Sequence, residues 1–249
     1  MKKRLFTIAT AVACMMGFAS CDMDLEDLLN DEELNLTGHI TLYSSNPTAG
    51  ELGNVQEYGN GDTLRFKSAA CNLTEATPGF ETGTMIVATH DNLITNNNEA
   101  NLSFPLAGIN LRGTSAQNYT VNCPVHDFGF FEYLSNTDVN LLITQGIMYS
   151  NYLGSLFAIA VDSNSYYLGY QGNINITSFG EDGDLVEGTV NINALYVTKD
   201  EVERIANDPD YRSTISDIST HFPSITFTGE ISSRRVPIQM VIDALEENN

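Results

Sequence analysis

The stretch from Gly172 to Val197 constrains the fold more than any other part of the chain. In its first half Ile174 and Ile176 alternate with Asn173, Asn175 and Thr177. In its second half Val186, Val190, Ile192, Ala194 and Tyr196 share one face, and Glu187, Thr189, Asn191 and Asn193 share the other. A period of two places successive side chains on opposite faces of a strand, so each half has a dry face and a wet one. Between them lies Glu181-Asp182-Gly183-Asp184. Asp-Gly suits a tight primed turn, because such turns need positive φ. The pattern predicts a long antiparallel hairpin turning at Asp182-Gly183. Arms of this length predict a curved ribbon that wraps a core.

The rest of the chain has the same texture. His39-Ile40-Thr41-Leu42, Thr63 to Lys67, Leu102-Ser103-Phe104 and Tyr119 to Cys123 alternate, while Thr84 to Ala88, Val139 to Thr144 and Leu156 to Val161 are continuously apolar. Gly, Asn and Asp clusters separate these runs, which predicts many short strands. Phe222 to Ile231 reads as another strand, with Ile225, Phe227 and Ile231 on one face.

Two helices interrupt the pattern. Thr198 with Glu201 three residues later has the form of a capping box and predicts a helix from Lys199 to about Asn207, stopped by Pro209. Pro237 followed by Ile238, Val241, Ile242 and Leu245 predicts a C-terminal helix with one apolar stripe. The expected fold is all-β: an antiparallel β-sandwich or partly open β-barrel with a short inserted helix and a C-terminal helix. The strings Gly172-Asn173-Ile174-Asn175-Ile176 and Gly188-Thr189-Val190-Asn191-Ile192, with this layout, resemble calycin-like or lipocalin-like lipoproteins. A pair of immunoglobulin-like sandwiches breaking near Asn151 is the alternative.

The first 20 residues are a targeting signal rather than structure. Lys2-Lys3-Arg4 is a basic start, and Leu5 to Ala19 is an apolar run of 15 residues. A membrane-spanning helix needs about 20 apolar residues. Phe18-Ala19-Ser20-Cys21 resembles the bacterial lipobox, in which the cysteine is acylated and becomes the first residue of the mature chain. Lipid chains contribute about 0.8 kcal/mol per buried methylene, enough in combination to hold a protein at a membrane. Asp22-Met23-Asp24-Leu25-Glu26-Asp27 and Asp31-Glu32-Glu33 follow. They resemble the acidic export signal of surface lipoproteins of the Bacteroidota, which implies an outer-membrane, cell-surface address. The expected organisation is a signal over 1–20, an acidic tether over 21–36 and a β-rich globular domain over 37–249.

Removing the first 20 of 249 residues leaves 229, enough for an independent core. The formal charge of −21 becomes −24 when Lys2, Lys3 and Arg4 are lost. A chain so acidic repels nucleic acid and anionic lipid headgroups. With Cys21 acylated, Cys71 and Cys123 remain, free to pair as a disulfide in an oxidising compartment or to stay as two buried thiols. Asp62-Thr63-Leu64 is similar to the O-glycosylation pattern of these bacteria, which would place a glycan on Thr63; the other reading is a strand start.

Catalytic motifs are missing. His39, His90, His126 and His221 show no metal-binding spacing, and there is no Gly-x-Ser-x-Gly and no Gly-rich phosphate loop. No cofactor and no metal are expected. Asp182 and Asp184 with Glu181 and Glu187, and Asp162 with Ser163 and Asn164, are acid-rich enough for calcium, but turn chemistry explains them better. Phe128, Phe130, Phe131 and Tyr133, and Tyr166, Tyr167 and Tyr170, are dense enough to line a cavity on strands but are better read as core. The absence of tryptophan removes an indole platform for carbohydrate, although eleven tyrosines can serve instead. These readings favour a membrane-tethered, non-catalytic binding or structural module for an extracellular glycan or protein. A hydrolase with a carboxylate pair and a fimbrial-type subunit are the alternatives.

Overall fold

A computed structural model of the chain describes residues 38–54, 57–72, 83–90, 105–135 and 154–237. The strands are β1 (Gly38–Thr48), β2 (Thr63–Asn72), β3 (Thr84–His90), β4 (Leu106–Leu111), β5 (Asn118–Asn122), β6 (Leu156–Ala160), β7 (Ser165–Phe179), β8 (Leu185–Thr198) and β9 (Ser224–Val236). The helices are α1 (Phe128–Ser135), α2 (Lys199–Asn207) and the single turns α3 (Pro209–Arg212) and α4 (Ile218–His221). The fold is all-β.

All nine strands belong to one sheet. Antiparallel ladders run β1-β2-β3-β4-β6-β7-β8-β9, and β9 pairs again with β1. The sheet is thereby rolled upon itself. β6 meets β7 at only three residue pairs, from Ala158↔Leu168 to Ala160↔Tyr166. From Gln171 onward β5 takes the place of β6 along β7, and among the described residues its far side carries only the isolated bridge Val121↔Ser155. Among the described residues the sheet does not close fully there. The sheet is not purely antiparallel: beyond the start of β1, Ala69 to Cys71 of β2 pair in parallel with Arg234 to Val236 of β9. The ladders β1–β9, β4–β6 and β5–β7 all cross the position of Asn151, so the strands do not divide into two sandwiches there.

Alternation fills the inside. Ile40, Phe66, Ile86, Ile109, Phe157 and Ile192 come from six strands and are at most 1 % exposed. They belong to one apolar cluster with Tyr167 and Phe227. Tyr58, from the β1–β2 connection, stacks on Tyr167 at 5.3 Å between centroids and meets Phe227 at 6.2 Å. Burial pushes the phenols of Tyr58 and Tyr167 well above the ordinary tyrosine range.

A second apolar cluster lies on the other face of β6, β7 and β8. There Leu156, Ala158, Tyr166, Leu168, Leu195 and Val197 are buried with Phe131 of α1 and Val202 and Ile205 of α2. β6 is therefore buried along its whole length, as its unbroken apolar sequence demands. The segment Phe128 to Tyr133 is a helix rather than a strand. Phe130, Phe131 and Leu134 follow helical spacing and are its buried residues, and the Asp127 carboxylate accepts from the Gly129 N–H at 2.9 Å at its start. Its aromatics pack as core: Phe131 stacks on Phe222 with centroids 5.8 Å apart and rings tilted by 1°.

The hairpin joins Phe179↔Val186 to Ser165↔Thr198 in one ladder, with bulges near Gly169 and Ile176 that bend it. Its turn is longer than a two-residue primed turn. The Asp184 N–H donates to the Glu181 carbonyl at 2.9 Å, and Gly183 has φ 91°. Among the described non-glycine residues only Asn46 has positive φ, so Asp182 does not. Positive φ at the third turn position alone is the requirement of a type II turn. The helix expected after Pro237, the strands expected over Leu102–Phe104 and Val139–Thr144, and the segment containing Cys21 lie outside the described residues.

Candidate functional site

Helix α2 covers Lys199 to Asn207 as its sequence predicts, but its capping box does not form. Thr198 has extended backbone (φ −109°, ψ 147°) and makes no side-chain cap bond. Glu201 is one of the buried residues of α2 and turns to His221 instead. The Glu201 carboxyl group is nearly dry and bonds to the buried imidazole in place of the exposed backbone N–H that a capping box would use.

The result is a four-residue cluster that draws on four separate elements. His221, at the end of α4, is 4 % exposed, and Glu201 is 9 % exposed. His221 Nε2 lies 2.7 Å from Glu201 Oε1, and His221 Nδ1 lies 3.1 Å from Glu51 Oε2 in the turn after β1. Tyr211 of α3 donates its hydroxyl to the same Glu201 oxygen at 2.5 Å. The Arg204 guanidinium lies over the Tyr211 ring, 3.5 Å from its centroid. Burial, together with the hydrogen bond and the negative charge of Glu201, pushes the Tyr211 phenol up to about 12. Each imidazole nitrogen lies within hydrogen-bond distance of one carboxyl group, so the ring is engaged on both sides.

Backbone contacts fix the same geometry. Glu51 N–H donates to the Thr220 carbonyl and Leu52 N–H to the His221 carbonyl, each at 3.2 Å. The Asp217 carboxylate accepts from the Ser219 N–H at 2.9 Å and opens α4. Hydrogen bonds from the Ser219 side chain and backbone hold the Asp217 carboxyl below the usual carboxylate range.

The polar atoms of this cluster are bonded to one another. A general base needs a free lone pair within reach of a substrate proton. Here both imidazole nitrogens face carboxylates, Tyr211 holds its proton more tightly than usual, and Glu201 accepts from two neighbours. In the sequence His221 is one histidine among four and Glu201 stands where a capping residue would. Four elements from Glu51 to His221 meet only in space, and no local pattern joins them.

The other expected positions fall as follows. Cys71 and Cys123 are both buried. Burial pushes the Cys123 thiol up to about 12. Thr63 is exposed and is the first residue of β2. His126 lies 3.6 Å from the Asp217 carboxylate at the surface. Asp182 pairs with Arg235 at 2.9 Å, and the Asp184 carboxylate accepts from the Glu181 N–H at 3.1 Å. Asp162 Oδ1 accepts from the N–H groups of Asn164 and Ser165, both at 2.7 Å. Burial would raise its carboxyl, but these bonds outweigh it and hold the group below the usual range. Both acidic clusters are thus turn chemistry. Among the described residues no group of three or more His, Cys, Asp or Glu side chains is placed to hold a metal ion.

Comparisons with protein-family models, with curated proteins and with solved structures each find no match for this chain.

Proposed function

We propose that this protein is an acyl-anchored lipoprotein of the bacterial cell surface that presents a non-catalytic binding or scaffolding module. One observation carries the reading: the lipobox Phe18-Ala19-Ser20-Cys21 and its acidic follower Asp22 to Glu33 run directly into the β-body, whose first strand starts at Gly38. Acidic residues repel one another and keep such a tether extended. The internally satisfied His221 clasp and the side-chain-filled barrel interior support a role carried by the outer surface. Among the described residues no helix is long and apolar enough to cross a membrane.

The test is metabolic labelling with an alkyne palmitate, combined with protease treatment of intact cells. The wild-type chain takes up label, fractionates with membranes and is shaved from whole cells. Cys21→Ala loses the label. A Cys21→Ala chain that still carries lipid and sediments with membranes overturns the assignment.

A further inference from the structure

Three registered rows of side chains cross the outer face of β5, β7, β8, β9 and β1. The first is Asn122, Gln171, Asn193, Thr226 and Ser45. The second is Thr120, Asn173, Asn191, Thr228 and Tyr43. The third is Asn118, Asn175, Thr189, Glu230 and Thr41. None of these residues is buried. With strands about 4.8 Å apart and side chains on one face about 6.7 Å apart, the grid measures about 19 Å by 13 Å.

Its composition is not that of an ordinary wet face. Glu230 is the only formal charge in the grid, on a chain with a net charge of −21. Asparagine is depleted in strands, so six asparagines in three neighbouring strands cost local propensity without improving the core. Their amides are also wired together. Asn118 Nδ2 donates to Asn173 Oδ1 at 3.1 Å, and Thr226 Oγ1 donates to Asn193 Oδ1 at 2.9 Å. Each bond engages an amide oxygen, of Asn173 and of Asn193, whose own N–H groups are not the donors in it.

We propose that this grid binds an uncharged polysaccharide, and that this ligand is what the anchored module presented above recognises. A vicinal diol donates and accepts at each hydroxyl, which matches an array of amides and hydroxyls that do the same. Tyr43, 47 % exposed in the middle row, offers an aromatic face to a sugar ring. An anionic polymer would meet the field of a strongly acidic chain. A protein partner would need buried aromatic or arginine anchors, and Tyr43 is the one large apolar side chain the grid exposes.

The experiment is affinity electrophoresis of the detergent-solubilised full chain through gels holding laminarin, dextran or mannan, with heparin and polygalacturonate as anionic controls. At least one neutral polymer retards the wild type. Asn173→Ala/Asn191→Ala weakens retardation about tenfold or more, since two lost hydrogen bonds at about 1 kcal/mol each reach that size, and Tyr43→Ala also weakens it by removing the aromatic face. Thr214→Ala, off the grid, does not, and all melting temperatures stay level. Retardation by no neutral polymer, retardation only by the anionic ones, or equal retardation of the grid variants overturns the proposal. So does a photo-crosslinker at position 191 that traps a polypeptide on whole cells. A chain that is labelled and shaved at the surface yet ignores all three neutral polymers defeats the ligand assignment alone, because anchoring is read by palmitate and protease.

Discussion

His221 and Glu201 face each other across 2.7 Å in a site where both are nearly dry, although they belong to different helices. Taking polar groups out of water is costly, so a contact like this persists only where further bonds satisfy the remaining atoms. Glu51 and Tyr211 supply those bonds. The cluster ties the turn after β1, the short helices α3 and α4 and the first turn of α2 into one cap beside β9. It is the polar counterpart of the neighbouring Phe131–Phe222 stack.

Removing the imidazole should therefore be expensive and removing the outer carboxylate cheap. His221→Ala takes from the buried Glu201 one of its two hydrogen-bond partners, and leaving a buried polar group short of a partner costs about 1–3 kcal/mol, with Tyr211 still donating. Glu51→Ala acts on a side chain that is 47 % exposed and should cost under about 1 kcal/mol. Urea unfolding of both variants measures the order. If the two losses are equal, the buried bond is not what holds the cap.

Alkaline pH should loosen the fold through groups remote from this cluster as well as within it. The Cys123 thiol, ordinarily near 9.0, is pushed up to about 12 by burial, and Tyr211 is raised to about 12. Burial also raises Tyr166. Each folded value lies above its unfolded one, so the native chain keeps protons that the unfolded chain has released. The stabilisation is complete below about pH 9 and is lost as pH rises through about 12. Urea midpoints at pH 8, 10 and 11 should fall in that order, and Cys123 should resist thiol reagents until the chain unfolds. A midpoint that holds steady to pH 11 contradicts this.

The hairpin turn gives a sharper test. Gly183 sits at φ 91°, and its missing side chain would meet nothing within 4 Å. Space therefore does not forbid a larger residue; backbone geometry does. Gly183→Val should cost about 1–2 kcal/mol, because a β-branched residue resists positive φ. Gly183→Asn should cost less, since asparagine tolerates that region. Melting temperatures that fail to separate Val from Asn remove the argument.

The strands that wrap the interior were legible because period two survives in them: Ile174 and Ile176, Val190 and Ile192, Ile225 and Phe227 all face inward as their alternation requires. The closure was not legible. Nothing local in Ile40 announces that Ile231 lies opposite, and that pairing is what rolls the sheet. The aromatic run at Phe128 to Tyr133 misled because density suggested strands, while the spacing of Phe130, Phe131 and Leu134 was helical throughout. Glu201 misled for a different reason: a capping box is a local rule, and a buried histidine twenty residues away overrode it. The amide grid was half visible, as the polar face of one hairpin, but its width comes from β5, β9 and β1, which only the fold brings alongside.

The close approach of β9 to β1 passes through an inward-facing glycine, and that yields the last prediction. Gly229 of β9 pairs with Leu42 on one side and Val190 on the other, at a position where its neighbours Phe227 and Ile231 point into the core. A Cβ there would lie 2.0 Å from the Thr41 carbonyl oxygen and 2.9 Å from the Leu42 Cα. Both obstacles are backbone, which cannot swing aside as a side-chain tip can. β9 must therefore retreat from β1, and the retreat loosens the ladder that rolls the sheet. Forcing one extra methyl into a packed interior costs about 1–3 kcal/mol, so Gly229→Ala should lose that much, while Thr228→Ala on the outer face of the same strand should stay within about 0.5 kcal/mol. Amide exchange offers a second readout: in Gly229→Ala, protection should fall first at the β1–β9 pairs around Leu42 and Thr228. Unchanged protection there, with unchanged stability, would show that the strands are not pressed together at this point.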